Sequence, residues 1–143
     1  MARILLFLML MSMVVSCGRV ASRELTGIES AAPTDFAFIG DMTPCYLELK
    51  EGETALRVNC FEVDGELHIH SARYSKMPRL TGENWIVTVG RAPDVRIEID
   101  GRIYRMTATF ISDRQKRLDI LHNRGYWYAW DGIEVFKFTP REN

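Results

Sequence analysis

Three Asp-Gly pairs, which begin at residues 64, 100 and 131, constrain the fold of this chain more than any other feature of its sequence. Asp-Gly is a favoured two-residue turn between antiparallel strands, because both residues accept a positive φ. The runs on either side of the second pair, DVRIEI and RIYRMTATF, alternate apolar and polar residues, as strands with one buried face do. These patterns predict a chain built mainly of antiparallel β-hairpins.

The first hairpin is predicted in the segment PCYLELKEGETALRVNCF, with its turn at Gly52-Glu53. In that register Cys45 lies opposite Cys60, and the apolar and polar residues of the two strands fall on separate faces. A disulfide between these cysteines would stabilise the fold by about 3 kcal/mol in the chain-entropy model. Because the spacing is not C-x-x-C, we interpret the bridge as structural and not as redox-active.

The second hairpin follows directly and places His68 and His70 together on its polar face. Two histidines two positions apart on a strand could chelate a metal ion, and Glu48 and His122 are the candidate third ligands. The alternatives are a site for a small anionic ligand and an ordinary polar strand without a ligand. No Ser-His-Asp or Cys-His arrangement and no pair of carboxylates indicates a hydrolase, so no catalytic residue is identified.

Two short helices and a last strand complete the predicted domain. Ser112 and Gln115 have the spacing of a capping box, which predicts a helix that ends near Gly125. The segment TGENWIVTVGRAP is ambiguous: its propensity favours a strand, but Thr81 at its start is also a candidate N-cap. The aromatic-rich run YWYAWDGIEVFKF predicts a closing strand.

From about residue 44 to residue 138, this order of elements resembles the split β-barrel family of pyridoxamine-phosphate oxidases and flavin- or deazaflavin-dependent nitroreductases. The resemblance rests on Trp85, on the run RAPDV and on the hairpin at Asp100-Gly101. At the same places the family has a helix, an N-P-x-V turn and a strand-Gly-strand hairpin. The resemblance implies a mainly β (α+β) fold, an antiparallel split-barrel-like domain with two short helices, and it makes residues 81–92 helical.

The same resemblance implies where a cofactor would bind. In the family, the strand before the helix and the Ser, Arg and Lys that follow it hold the cofactor phosphate, and Ser71, Arg73, Ser75 and Lys76 are the matching positions. Independently of the resemblance, Arg57, Arg73 and Lys76 could donate charge-assisted hydrogen bonds to a phosphate or a carboxylate. Flavin mononucleotide, a deazaflavin or another small anionic ligand is therefore the predicted occupant, if the site has one.

The N-terminal sequence predicts where the protein is located. MARILLFLMLMSMVVSC begins with one cation and continues through an apolar run that is too short to span a bilayer but typical of a secretory signal. Its last four residues, VVSC, resemble the bacterial lipobox, in which the cysteine is acylated and the chain is cut before it. We therefore interpret residues 1–16 as a signal peptide, residues 17–34 as a tether lipidated at Cys17, and residues 35–143 as the domain.

The net charge and the predicted export of the chain favour a binding or structural module over an oxidoreductase. The chain has a net charge of −1, which predicts no nucleic-acid partner. Gly18 after the lipobox cysteine favours the outer membrane of the cell envelope over the inner membrane. Since a secreted chain folds outside the cytoplasm, where flavin is scarce, we expect a lipid-anchored binding or structural module on the periplasmic side without a cofactor. The alternative is a flavin- or deazaflavin-dependent oxidoreductase, and a homodimer stays open.

Overall fold

The computed structural model describes residues 22–71, 84–126 and 132–141, and within these ranges the chain is mainly β. This confirms the predicted fold class. The bounds of the strands are β1 Ser22–Arg23, β2 Ile28–Glu29, β3 Thr43–Glu48, β4 Ala55–Val63, β5 Glu66–His70, β6 Asp94–Ile99, β7 Arg102–Phe110 and β8 Val135–Pro140. The helices are α1 Trp85–Arg91 and α2 Arg114–Asn123.

Six of the strands close into an antiparallel barrel in the order β3, β4, β5, β8, β7, β6 and back to β3. One face of each strand points inward, and these side chains form the main core. Helix α1 adds Ile86 and Val89 to that core at one end of the barrel. At the other end Phe36 is buried, and its N–H donates to the carbonyl oxygen of Gly65 at 2.9 Å.

The two Asp-Gly turns that the structure describes have the predicted geometry. Asp64 and Gly65 have φ values of 53° and 80°, and Asp100 and Gly101 have 48° and 74°. Two successive positive φ values define the turn type that matches the twist of paired strands. The predicted registers of the β4–β5 and β6–β7 hairpins are confirmed, but residue 131 of the third pair lies outside the described residues.

The register predicted for the β3–β4 hairpin is wrong by two residues. Cys45 lies opposite Val58, and Cys60 lies opposite residue 43. The strands are joined by a longer connection, residues 49–54, which contains the turn from Lys50 to Glu53 and not a two-residue loop. A shift of two residues leaves every side chain on its predicted face. The Cys45–Cys60 disulfide therefore still forms, as a diagonal pair with its Cα atoms 6.0 Å apart.

The predicted tether is corrected from Ser22 onward. Residues 22–30 lie along the barrel as an N-terminal strap, in which β1 pairs with β4 and β2 pairs with β7. The segment looked aperiodic because each paired stretch is only two residues long. The predicted signal peptide and the predicted lipidation at Cys17 lie outside the described residues.

A buried carboxylate holds the strap in place. Glu98, on the outer face of β6, is only 5% exposed and accepts hydrogen bonds from the N–H groups of Thr26 and Gly27 at 2.9 and 3.2 Å. The guanidinium of Arg23 binds the same carboxylate and also lies 3.6 Å above the ring of Tyr46. Buried charges are stable when they are paired and fully hydrogen-bonded in this way.

Both helices form, and both begin at a different residue from the one predicted. The helix implied by the family resemblance is confirmed against strand propensity, but its N-cap is Asn84, and Thr81 lies outside the described residues. Helix α2 is capped by Asp113 and not by Ser112, because the Asp113 carboxylate accepts the N–H of Lys116 at 3.0 Å. Among the described residues, no helix is long and apolar enough to cross a membrane.

The strap provides a sharp test at Gly27. A Cβ atom at this position would lie 2.5 Å from the carbonyl oxygen of Gly101, which is backbone and cannot move aside. We expect Gly27→Ala to lower the free energy of unfolding by about 1–3 kcal/mol and to speed hydrogen exchange at the Ile28 amide.

The matched control is Gly90→Ala in α1, where a Cβ would have nothing within 4 Å and helix propensity should add about 0.5–1 kcal/mol. Unchanged exchange at Ile28 in the Gly27 variant would contradict the docking of the strap.

Candidate functional site

The structure fixes the position of two of the five residues predicted to bind a cofactor. Ser71 follows the last residue of β5 and is 1% exposed. Its backbone N–H donates to the carbonyl oxygen of Glu134 at 2.8 Å, and its hydroxyl oxygen accepts the N–H of Glu134 at 2.9 Å. Arg57 is exposed on the outer face of β4, opposite Tyr46 of β3. Arg73, Ser75 and Lys76 lie outside the described residues.

Aromatic side chains form the wall of the barrel where α1 covers it. The ring of Phe136, near the start of β8, lies 5.8 Å from that of Trp85 and 5.6 Å from that of Phe110. Phe110 stays 41% exposed although it belongs to this cluster. At this end of the barrel, Ser71, which follows β5 and is held by its hydrogen bonds to Glu134, lies near an aromatic surface that solvent can reach. We call this point, where the chain leaves β5, the fixed exit of β5.

The polar face predicted for the histidines is not open to water. Helix α2 packs there and builds a second core around Phe61 and Leu121. His68 is 1% exposed and stacks on Phe61 with the ring centroids 5.6 Å apart, and His70 lies 4.8 Å from the ring of Tyr126. The predicted side of the strand is confirmed for both histidines, because Ile69 between them points the opposite way, into the core inside the barrel.

The surroundings of both histidines disfavour the protonated imidazole. Since a carbonyl oxygen only accepts hydrogen bonds, Nδ1 of His68 donates to Glu66 and Nδ1 of His70 donates to Ser71, at 2.9 and 2.8 Å. Burial lowers the pKa of each imidazole below its ordinary value of 6.5, and only part of this shift is offset by those bonds. Nearby cations lower the pKa further: Lys137 and Lys116 for His68, and Arg124 for His70.

The metal alternative is not assembled in the described part of the chain. No group of three or more His, Cys, Asp or Glu side chains there could hold an ion. Glu48, a candidate third ligand, is instead bonded to Arg96 of β6, with Nη2 of the arginine donating to its carboxylate at 2.9 Å.

An ion-pair network that the sequence analysis missed covers the outer face of β6 and β7. Arg96 bonds to Glu48 and Glu29, and Arg105 bonds to Glu29 and Glu51. The bond from Arg96 lowers the pKa of the Glu29 carboxyl, and the bond from Arg23 lowers that of Glu98. Alternating Arg and Glu on neighbouring strands was a usable signal, but it required knowing that β3 and β6 are adjacent. The network fastens the strap to the barrel through Glu29.

Comparisons with known proteins identify the fold. No model of a protein family matches the sequence, and no curated protein matches it. Among solved structures, a candidate pyridoxamine 5′-phosphate oxidase from Listeria innocua matches with a TM-score of 0.50 and 16% identity, covering 70% of this chain and 85% of that chain. At that identity the match shows the fold, which is a split barrel.

Two further matches have TM-scores below 0.5, and nothing is inferred from them. A NimC/NimA family protein from Clostridium acetobutylicum has a TM-score of 0.47 and 22% identity, covering 69% of this chain and 75% of its own. A FAD-binding protein from Mesorhizobium loti has a TM-score of 0.45 and 14% identity, covering 71% and 82%. The match to the Listeria protein confirms the predicted resemblance to split-barrel proteins at the level of the fold.

The buried histidines predict a pH-dependent stability. Because the pKa of each imidazole is lower in the folded than in the unfolded state, the unfolded state takes up protons first as the pH falls below about 6.5. The free energy of unfolding should then fall by up to about 1.4 kcal/mol per pH unit per histidine, until the folded-state pKa is passed. Urea unfolding between pH 5 and pH 7.5 measures this slope, above the range in which carboxylates titrate.

His68→Gln should flatten the slope, whereas His122→Gln, at an exposed position of α2, should leave it unchanged. A wild-type protein whose stability is constant over this range would contradict the lowered pKa of the two imidazoles.

Proposed function

We propose that this chain is a flavin-binding split barrel of the oxidoreductase type, in which the residues after β5 hold the phosphate of the cofactor. The observation that carries the proposal is the fixed exit of β5, where Ser71 is buried and bonded to Glu134. Arg73, Ser75 and Lys76 follow within five residues, so their backbones lie within about 18 Å of that point even in a fully extended chain.

The described residues fit an anionic group at this end of the barrel. The hydroxyl of Ser71 accepts one hydrogen bond from Glu134, and a serine that accepts one bond can still donate its own hydrogen. The exposed aromatic ring of Phe110 lies in the same region as α1. A flavin, when bound, supplies hydride or electron transfer, and the protein supplies binding and orientation.

The fold changes which of the two predicted functions we favour. The sequence alone favoured a module without a cofactor, because the first residues of the chain resemble an export signal. The split-barrel fold shared with the Listeria protein, together with the family resemblance of the segment around Trp85, supports the flavin alternative instead. Acquisition of the flavin outside the cytoplasm is then part of the proposal.

The double variant Arg73→Ala with Lys76→Ala tests the phosphate site. Flavin mononucleotide, FAD or a deazaflavin should raise the melting temperature of the purified wild-type protein, and the double variant should lose the rise because it lacks two charge-assisted bonds to phosphate.

The matched control is Lys50→Ala with Arg102→Ala, which removes the same charge at two exposed positions and should keep the rise. If none of the three cofactors shifts the melting temperature of the wild type, the flavin proposal is wrong.

We further propose that the barrel is held at the cell envelope by a lipid on Cys17, with the outer membrane favoured. The disulfide between Cys45 and Cys60 supports an oxidising compartment, where such bonds persist. Ser22, the first described residue of the strap, follows Cys17 by five residues, which is at most about 18 Å of chain. The membrane surface would therefore be the nearest partner of the domain.

Cys17→Ser tests the anchor independently of any flavin. We expect the variant to move from the membrane fraction to the soluble fraction, or to keep its signal segment, because the acylated thiol is gone. Ala21→Ser, four residues later, is the control and should stay with the membrane. Detergent partition and the intact mass of the purified protein report both outcomes, and an unchanged membrane fraction for Cys17→Ser would rule out lipid anchoring.

A further inference from the structure

A cleft of about 420 Å³ lies outside the barrel, between the β4–β5 turn and α2. Of the residues predicted to bind a flavin, the two that the structure describes, Arg57 and Ser71, do not line it. Its charged lining residues are Asp41, Glu62, Asp64, Lys116, Asp119 and Arg124. The cleft is therefore a separate place in the molecule where ligand chemistry is concentrated.

Arg124 is the unusual member of this lining. Its side chain is 7% exposed, and its guanidinium lies 3.6 Å above the ring of Phe61. Nη2 donates to the carbonyl oxygen of Asp41, but Nε and Nη1, both buried, have no hydrogen-bond partner among the residues that the structure describes. Burial lowers the pKa of Arg124, and the neighbouring Tyr126 and Asp41 offset only part of this shift. Buried guanidinium N–H groups without an acceptor cost free energy, and a bound oxyanion that accepts from one of them would recover part of it.

The rim of the cleft carries the opposite charge. The Asp41 side chain is 95% exposed, and its carboxylate is 3.8 Å from Nη1 of Arg124, which is too far for a hydrogen bond. Asp64 and Asp119 are exposed at the same rim. A ligand with only a negative charge is attracted by Arg124 but repelled by the carboxylates of the rim. A ligand with only a positive charge is attracted by the rim but repelled by Arg124. A ligand with both charges satisfies both parts of the cleft.

We propose that the cleft binds a small zwitterion, of the class of amino acids and aminoalkyl phosphates. One oxygen of its carboxylate or phosphate accepts a charge-assisted hydrogen bond from Nη1 of Arg124, the buried nitrogen that lies 3.8 Å from the Asp41 carboxylate at the rim. Its ammonium group lies among the carboxylates of Asp41, Asp64 and Asp119. Because Asp41 lies against the guanidinium, its turn moves aside when the ligand enters.

Two zwitterions and three singly functional probes test the proposal on the full domain. β-Alanine and O-phosphoethanolamine should shift the NMR signal of the Arg124 Nε–H group and raise the melting temperature. Acetate, inorganic phosphate and ethylamine should bind at least about tenfold more weakly, since each makes only half of the contacts.

Arg124→Met should abolish the response while the protein stays folded, because methionine fills the space over Phe61 without an unpaired charge. Arg114→Met, an exposed arginine on the same helix, should respond as the wild type does. The Arg73/Lys76 double variant should also bind the zwitterions as the wild type does. The experiment therefore tests this cleft independently of the proposed flavin site.

Three results would overturn the proposal. No response to either zwitterion at about 10 mM would exclude the site. Equal binding of phosphate and phosphoethanolamine would reduce it to an oxyanion site without a role for the acidic rim. A response that persists in Arg124→Met would place the ligand elsewhere.

Discussion

The barrel depends on a change of partner along one edge of β4. Residues 60–63 pair with β5 on that edge, whereas residues 55 and 56 pair with β1 of the strap. The other edge pairs with β3. Backbone N–H and C=O groups at an open sheet edge invite pairing with another chain, and barrel closure removes such an edge. The strap extends that closure where β5 has left β4, so it is part of the barrel.

The residues of the turns made the β4–β5 and β6–β7 hairpins predictable. The Asp-Gly pairs at residues 64 and 100 require positive φ values, and a two-residue turn of this type fixes the register of its hairpin. Helix α1 was different, because Ile86, Val87 and Val89 favour a strand by propensity and only the family resemblance made the segment helical. Tertiary packing decides such a segment: Ile86 and Val89 cover the end of the barrel core.

Features that depend on distant strands could not be predicted. A shift of two residues in the β3–β4 register keeps each side chain on its face, so the alternation of apolar and polar residues cannot detect it. The ion pair between Glu48 and Arg96 depends on β6 lying next to β3, which the sequence did not indicate. Alternation gave the correct face for His68 but not the helix that covers that face, which comes from residues 114–123. Arg124 carries no local signal at all, because its burial results from packing against Phe61.

The disulfide determines how the strap and the barrel respond to a pulling force on the N-terminal segment. A pull on the N-terminus first loads the short β1–β4 pairing and the contacts of Glu98, and β4 then passes the force to the rest of the sheet. The Cys45–Cys60 bond joins β4 covalently to β3, so these two strands cannot be pulled apart by tension between them. Under such a force the strap should detach before the barrel opens, because β4, the strand to which β1 is paired, is joined to β3 by the disulfide.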